Sequence, residues 1–179
     1  MGYNVITSAT LKGGTGKTAT LFNLAGLLAE SRRVLLIDCD PQTNLSLNCG
    51  VGVMKDSIAT IKGVFEGTSA VDQVIHKAPI PELPGLDIIP SHIALTATEL
   101  QMVARPGREN ILHSFLEDNK RELSVYDYIM IDTSPLETIP TPTCILSLLE
   151  YLQIFAPKPH PTAFVTIATK VKAKINNKA

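Results

Sequence analysis

The stretch LKGGTGKTAT, residues 11–20, lies between an apolar run and a helical pattern, and it decides how the rest of the chain can fold. A phosphate-binding loop usually reads G-x-x-x-x-G-K-[ST], and Gly16, Lys17 and Thr18 supply the end of that motif. The first position of the motif holds leucine, however, and an additional lysine, Lys12, follows it at once. The departure indicates either a failed match or a different loop in which the early lysine has its own role.

Glycines between a strand and a helix let backbone N–H groups turn towards phosphate oxygens, and the helix N-terminus adds positive potential. Gly13, Gly14 and Gly16 provide that freedom here. Lys17 is then expected to meet the outer phosphates, and the Thr18 hydroxyl to face Mg²⁺. The alternative is a glycine-rich turn that binds nothing, which the order of strand, G-K-T and helix disfavours.

Apolar runs bounded by turns alternate with helical periods along the chain, which predicts a parallel sheet covered by helices on both faces. The predicted strands are residues 4–9, 33–38, 86–89 and 126–132. The predicted helices are residues 17–30, 58–65, 71–76, 96–103 and 109–118. Ligands of such sheets bind at the carboxyl edge, where the glycine loop, Asp38 and Asp132 follow three of the strands.

The pattern weakens after Pro135, where prolines are frequent. Residues 143–150 are compatible with a helix and residues 151–156 with a strand. Residues 162–176 fit two periods, a helical stripe and a strand alternation, and the preceding Pro161 favours a helix start. We therefore predict a helix there, with the strand as the alternative.

Composition indicates one globular domain, with 179 residues, 45% hydrophobic and 18% charged. No apolar run reaches the roughly 18 residues of a membrane span, and the first residues lack a signal sequence. The three cysteines contain no C-x-x-C pair, which argues against zinc or an iron–sulfur cluster and fits a reducing compartment. A cytoplasmic protein is expected.

Charge is unevenly distributed, although the net charge is −1. Residues 151–179 carry five lysines and no acidic residue, whereas the rest of the chain carries 11 basic and 17 acidic side chains. Such an asymmetry indicates an acidic partner for the tail. A solvated basic helix is the alternative.

The heptapeptide KGGTGKT, residues 12–18, resembles the deviant Walker A loop of the ParA/MinD family of P-loop ATPases. The resemblance implies a three-layer α/β/α fold with a mostly parallel sheet. It also implies that Lys12 reaches across an ATP-dependent homodimer to the partner's nucleotide, where its charge assists catalysis together with Lys17. The implied nucleotide-binding residues are Lys12, Gly13, Gly14, Thr15, Gly16, Lys17, Thr18 and Ala19.

Two further motifs strengthen the resemblance. LLIDCDPQTNLS, residues 35–46, is similar to the ParA branch, which implies that Asp38 holds a water on Mg²⁺ and that Asp40 orients the attacking water. YDYIMIDTSP, from position 126 onward, resembles the Walker B strand, in which Asp132 joins Thr18 and Asp38 at the metal. The three motifs occur in order, and the resemblance covers about residues 3–135.

The sequence departs from the family at several positions. Ala19 replaces a second threonine of the loop, Thr43 replaces a glycine of the D-P-Q-G-N run, and Ser134 replaces the first proline of D-x-P-P. ParA proteins usually continue with further strand–helix units. We therefore expect residues 1–135 to form the ATPase core and residues 136–179 to be a divergent or truncated continuation that lacks the last of these units.

The resemblance implies a plasmid or chromosome partition ATPase that binds ATP or ADP with Mg²⁺, dimerises and hydrolyses ATP slowly. A centromere-binding protein and non-specific DNA are its implied partners, and the cytoplasm, at the nucleoid or plasmid, is its implied location. One alternative is a nucleotide-binding module that no longer hydrolyses. Another is a MinD-like ATPase at a membrane surface, which the D-P-Q run disfavours, so no membrane is expected.

Overall fold

The computed structural model describes residues 3–9, 13–52, 58–134 and 165–169. The strands in these ranges are β1 (Asn4–Ala9), β2 (Val34–Cys39), β3 (His76–Lys77), β4 (Leu86–Ile89), β5 (Tyr128–Thr133) and β6 (Val165–Thr169). They form one sheet in the order β3-β4-β2-β5-β1-β6. The inner four strands run parallel and the two edge strands antiparallel to their neighbours, which confirms the predicted mostly parallel sheet.

Helices cover both faces of this sheet. They are α1 (Lys17–Ala29), α2 (Asn44–Asn48), α3 (Ile61–Glu66), α4 (Val71–Val74), α5 (Leu95–Met102), α6 (Ile111–Asp118) and α7 (Lys120–Leu123), with a 3₁₀ turn at Arg108–Asn110. Among the described residues, no helix is long and apolar enough to cross a membrane.

The alternating side chains of β2 explain the three layers. Leu35 and Ile37 belong to a core shared with α3, α5 and α6, whereas Val34 and Leu36 belong to a second core shared with α1. Every residue of β2 is buried. A central parallel strand with both faces covered reads as a continuous apolar run, which is why the sequence predicted this strand well.

The short edge strand β3 corrects the prediction of a helix over residues 71–76. The helix ends at Val74, and His76–Lys77 then pairs antiparallel with β4. Lys77 Nζ donates to Asp87 Oδ2 of β4 at 2.9 Å, and this pair holds the segment at the sheet edge. Two residues are too few for any period to show, so the pairing partner decides their conformation.

The other edge strand, β6, corrects the prediction of a helix over residues 162–176. Residues Val165–Thr169 pair antiparallel with β1, from Ala9 opposite Val165 to Val5 opposite Thr169. Four of these five residues are β-branched, which favours strands, and β1 offers its outer edge for pairing. The strand alternative was the correct one for this stretch.

Several predictions fall outside the described residues. They are the helix over residues 143–150, the strand over residues 151–156, the position of Lys12 and the lysines of the tail. The proposed boundary at residue 135 also remains a prediction.

Candidate functional site

The carboxyl ends of three neighbouring strands bring the sequence motifs together. Asp132 of β5 lies in register with Asp38 of β2 on one side and with Ser8 of β1 on the other. The glycine loop follows β1 and leads into α1, which begins at Lys17. The residues predicted from three separate stretches therefore lie at one edge of the sheet.

The loop uses its glycines for backbone conformation. Gly14 and Gly16 have φ angles of +71° and +82°, in the left-handed region that side chains disfavour. Gly16 is the N-cap of α1 and, within the described part of the chain, no side chain caps this helix. The N–H groups of the first turn of α1 are therefore oriented as in anion sites at helix N-termini.

Thr18 and Asp132 join the loop to the sheet. The Thr18 hydroxyl donates to Asp132 Oδ2 at 2.6 Å. Asp132 is fully buried, and its other oxygen, Oδ1, has no hydrogen-bond partner among the described residues. The hydroxyl hydrogen is committed to the carboxylate, so the lone pairs of the Thr18 oxygen remain available to a cation.

The electrostatic environment of Asp132 is unfavourable to its charge. Burial raises the pKa of Asp132 to about 7. The Thr18 hydrogen bond and Lys17 lower it, while the carboxylates of Asp38 and Asp40 raise it further. A bound cation would oppose this shift, because positive charge favours the ionised acid.

Asp38 is held by three hydrogen bonds. Its Oδ1 accepts from the backbone N–H of Asp40 at 3.0 Å, and its Oδ2 accepts from the N–H and the hydroxyl of Ser46 at 2.9 and 2.7 Å. Burial nevertheless raises the pKa of Asp38 to about 6, against the lowering effect of these bonds. Asp38 is thus fixed in orientation beside Asp132.

Asp40 lies in the loop after β2 and is 8% exposed. Its Oδ1 accepts from the N–H of Gln42 at 2.9 Å and from the Ser134 hydroxyl at 3.4 Å. Ser134, which departs from the family pattern, therefore contacts the predicted water-orienting residue. Thr43, the other departure in this region, has a φ of +59°, which explains why glycine is common at that position.

Sequence reasoning missed two residues that shape this edge. Ser46 of α2 bonds Asp38, and its hydroxyl oxygen also accepts from the N–H of Ser91 after β4 at 2.9 Å. Glu99 of α5 is close enough for Asp40 to raise its pKa. No spacing rule links these residues to the loop, because the contacts depend on how α2 and α5 pack.

The structure brings Lys17, Thr18, Asp38, Asp40 and Asp132 together. The glycines and Thr15 lie in the loop, and Ala19 is exposed on the first turn of α1. Lys12 lies outside the described residues. A separate cavity of about 470 Å³, lined by α3, the segments on either side of it and the turn before α5, contains none of the predicted site residues.

The oxygen donors fit a magnesium ion. Mg²⁺ prefers hydroxyl, carboxylate, phosphate and water oxygens, and it usually takes only one or two protein carboxylates. Within the described ranges, no group of three or more His, Cys, Asp or Glu side chains could hold a metal. Thr18, Asp38 and Asp132 offer one hydroxyl and two carboxylates, which are donor types that Mg²⁺ accepts together with phosphate and water.

Comparison with known proteins gives the family and the fold of this chain. Residues 3–154 match the family model described as AAA domain. The chain is 38% identical over 132 residues to the chromosome partitioning protein ParA of Caulobacter vibrioides, a match that covers 73% of this chain and 48% of that protein. The chain thus spans about half the length of the curated relatives it matches.

Two solved structures share the fold. Apo McdA from Cyanothece has a TM-score of 0.70 at 27% identity, with 82% of this chain and 54% of that chain covered. Cobyrinic acid a,c-diamide synthase from Mycobacterium smegmatis, solved with an ATP analog and magnesium, has a TM-score of 0.68 at 27% identity. That match covers 81% of this chain and 55% of the other.

Proposed function

Because this chain belongs to the ParA-type family of P-loop ATPases, whose AAA domain it carries, we propose that it binds ATP with Mg²⁺ and hydrolyses it in plasmid or chromosome partition. The observation that carries the proposal is the 2.6 Å hydrogen bond from the Thr18 hydroxyl to Asp132, next to Asp38. The hydroxyl of the first turn of α1 and two carboxylates at strand ends thus lie at the helix N-terminus that we expect to bind phosphate.

Phosphate binding is assigned to the loop and the start of α1. The left-handed Gly14 and Gly16 let backbone N–H groups face the phosphates, and Lys17 supplies a point charge for the outer ones. Lys17 is only 7% exposed, so its charge acts in an environment that water screens weakly.

The cation is assigned to Thr18, Asp38 and Asp132. Asp132 accepts a hydrogen bond from the Thr18 hydroxyl, whose oxygen lone pairs would then be available to the ion, while Asp38, fixed by Ser46, would hold a water on it. When bound, Mg²⁺ would neutralise charge on the β- and γ-phosphate oxygens. The buried Oδ1 of Asp132, which has no hydrogen-bond partner among the described residues, supports this assignment.

Hydrolysis is assigned to Asp40. Gln42 and Ser134 both donate to Oδ1 of this carboxylate, and among the described residues Oδ2 has no such bond and would orient an attacking water. A positioned carboxylate can align and polarise water beside the γ-phosphate with little other chemistry required of the protein.

The remaining elements of the proposal are carried over from the family. Lys12 would reach the nucleotide of a second copy in an ATP-dependent homodimer. A centromere-binding protein would stimulate turnover, and the basic tail would contact non-specific DNA in the cytoplasm, at the nucleoid or plasmid.

ATP binding and turnover of the 179-residue chain, measured with and without DNA, test the proposal. Lys17→Ala should abolish binding, because the outer phosphates lose their point charge. Asp40→Ala should retain binding and lower turnover by about 10²–10⁴-fold. Lys120→Ala and Asp118→Ala, at partly or fully exposed positions, are matched controls.

Each outcome separates the alternatives. A Lys17→Ala protein that binds ATP like the parent would refute the loop assignment. Parent protein that binds ATP without turnover, with or without DNA, would support a nucleotide-binding module. Equal turnover in the parent and Asp40→Ala would move the water-orienting role to another residue.

A further inference from the structure

The segment that carries Asp40 is closed at both ends on one carboxylate. We call residues 40–46, which lead from the end of β2 into α2, the Asp40 loop. At its start the N–H of Asp40 donates to Asp38 Oδ1 at 3.0 Å, and at its end the N–H and hydroxyl of Ser46 donate to Asp38 Oδ2 at 2.9 and 2.7 Å. Asp38 and Ser46 are fully buried, so water does not compete for these bonds.

The turn inside the Asp40 loop leaves little freedom between these two ends. The Asp40 carbonyl accepts from the N–H of Thr43 at 2.9 Å, and the Asp40 carboxylate accepts from the N–H of Gln42 at 2.9 Å. Thr43 itself is buried and has the left-handed φ of +59°. The orientation of the Asp40 side chain therefore depends on where Asp38 holds the two ends of the loop.

Ser46 ties this closed loop to the rest of the sheet. Its hydroxyl oxygen accepts from the N–H of Ser91, after β4, at 2.9 Å. A backbone N–H can only donate, so the single hydrogen of the Ser46 hydroxyl is left for Asp38. The neighbouring Leu45 is buried in the core shared with α1. Ser46 thus links the end of β4 to Asp38 and, through Asp38, to Asp40.

We propose that Ser46 is a positioning residue of the hydrolytic step, which holds Asp40 in place through Asp38. Among the described residues, the hydroxyl of Ser46 bonds Asp38 and Ser91 and does not bond the glycine loop. Its loss therefore acts on turnover rather than on nucleotide binding. The inference rests on the proposed function, because the alignment of Asp40 matters for turnover only if the chain hydrolyses ATP.

Steady-state ATP turnover with Mg²⁺ tests this role by separating kcat from KM. Ser46→Ala removes the hydroxyl and keeps the backbone N–H, so kcat should fall by about 10–10²-fold, as a small misplacement of an aligned group does. The KM for ATP should stay near that of the parent, because Lys17 and the glycine loop are unchanged. Ser46→Thr keeps the hydroxyl and should recover most of the lost kcat. Ser124→Ala makes the same change at an exposed serine, whose hydroxyl donates to the Arg121 carbonyl, and should match the parent.

Amide hydrogen exchange, measured by NMR on ligand-free protein, tests the closure of the loop without nucleotide. Ser46→Ala should speed exchange of the Asp40 N–H by about tenfold, as expected for the loss of a hydrogen bond to a carboxylate. Asp38→Asn should also speed it, because the amide nitrogen of asparagine cannot accept a hydrogen bond. In the Asp38→Asn background Ser46→Ala should add little, since the two residues act in one series of bonds. Ser124→Ala should leave the exchange rate unchanged.

The outcomes distinguish this inference from the proposed function. Parent protein that binds ATP without turnover would refute the proposed hydrolysis, and the exchange rates would still decide whether Ser46 holds Asp40. Equal exchange of the Asp40 N–H in the parent and Ser46→Ala would overturn the inference. A Ser46→Ala protein that raises KM and keeps kcat would overturn it too, because Ser46 would then act on binding. If Ser46→Ala does not fold, an Asp40 exchange rate that Asp38→Asn leaves unchanged overturns the inference.

Discussion

Asp132→Asn should stabilise the ligand-free protein, and the gain should grow as the pH rises. Asp132 is fully buried, and burial raises its pKa from 3.8 to about 7. The folded protein holds this proton more tightly than the unfolded chain does. The contribution of the neutral acid to folding stability is therefore fully present below pH 3.8, the pKa in the unfolded chain. It is lost as the pH rises through about 7, the pKa in the folded protein. At about 1.4 kcal/mol per pH unit, ionisation costs the folded state about 4 kcal/mol at pH 8.

Asparagine at this position has no proton to lose and keeps an oxygen for the Thr18 hydroxyl. The gain in the free energy of unfolding over the parent should be about 1–2 kcal/mol at pH 5 and about 4 kcal/mol at pH 8. Urea unfolding followed by circular dichroism at both pH values measures it. Asp118→Asn, at an exposed position on α6, should change stability by less than about 0.5 kcal/mol. An Asp132→Asn protein that gains nothing, or whose gain does not grow with pH, would refute the reasoning.

Three further predictions concern the loop, the turn after β2 and the tail. Lys12→Ala should keep monomeric nucleotide binding and lose ATP-dependent dimerisation; a normal dimer in sedimentation with ATP would contradict its role. Thr43→Gly should raise stability by up to about 1 kcal/mol in urea unfolding, because glycine adopts the left-handed φ of +59° without strain; a loss of stability would show that its packing matters more. Replacing four tail lysines by glutamine should abolish DNA retention at low salt while sparing β6, and unchanged retention would exclude the tail as the contact. These lysines are Lys170, Lys172, Lys174 and Lys178.

The elements that could be predicted from the sequence are those whose pattern lies within a few consecutive residues. β2 is buried on both faces and therefore appears in the sequence as an unbroken apolar run. The glycine loop has a fixed spacing because its backbone must turn before α1 begins. The carboxyl-edge rule then placed Asp38 and Asp132 side by side, and the strand register confirms it.

The edge strands could not be predicted with the same success, because their conformation depends on a partner. Residues 162–176 fit two periods equally, and only the open side of β1 decides for a strand over Val165–Thr169. His76–Lys77 is a strand because Asp87 and its neighbours pair with it. In both cases the deciding contact is distant in sequence, whereas periodicity describes only neighbours.

The electrostatics of the site were also beyond sequence reasoning, since a pKa depends on burial and on distant charges. The motif marked Asp38 as a metal residue, but the bonds from Ser46 that orient it come from the packing of α2. Glu99 carries no motif at all. Burial and the Asp40 charge raise the pKa of Glu99, and both depend on how α5 packs rather than on any sequence pattern.

Asp132, whose replacement by asparagine should stabilise the fold, is also a residue that the proposed chemistry needs. Asp132 is a buried acid whose ionised form is unfavourable in the ligand-free protein, yet that form is the one a magnesium ion would require. Binding of the ion and nucleotide would offset the ionisation cost, so nucleotide affinity and folding stability are linked through the same carboxyl. Mg–ATP should therefore raise the stability of the parent at pH 8 far more than that of Asp132→Asn. Selection for stability alone would favour the asparagine, and retention of the aspartate is what the proposed metal chemistry predicts.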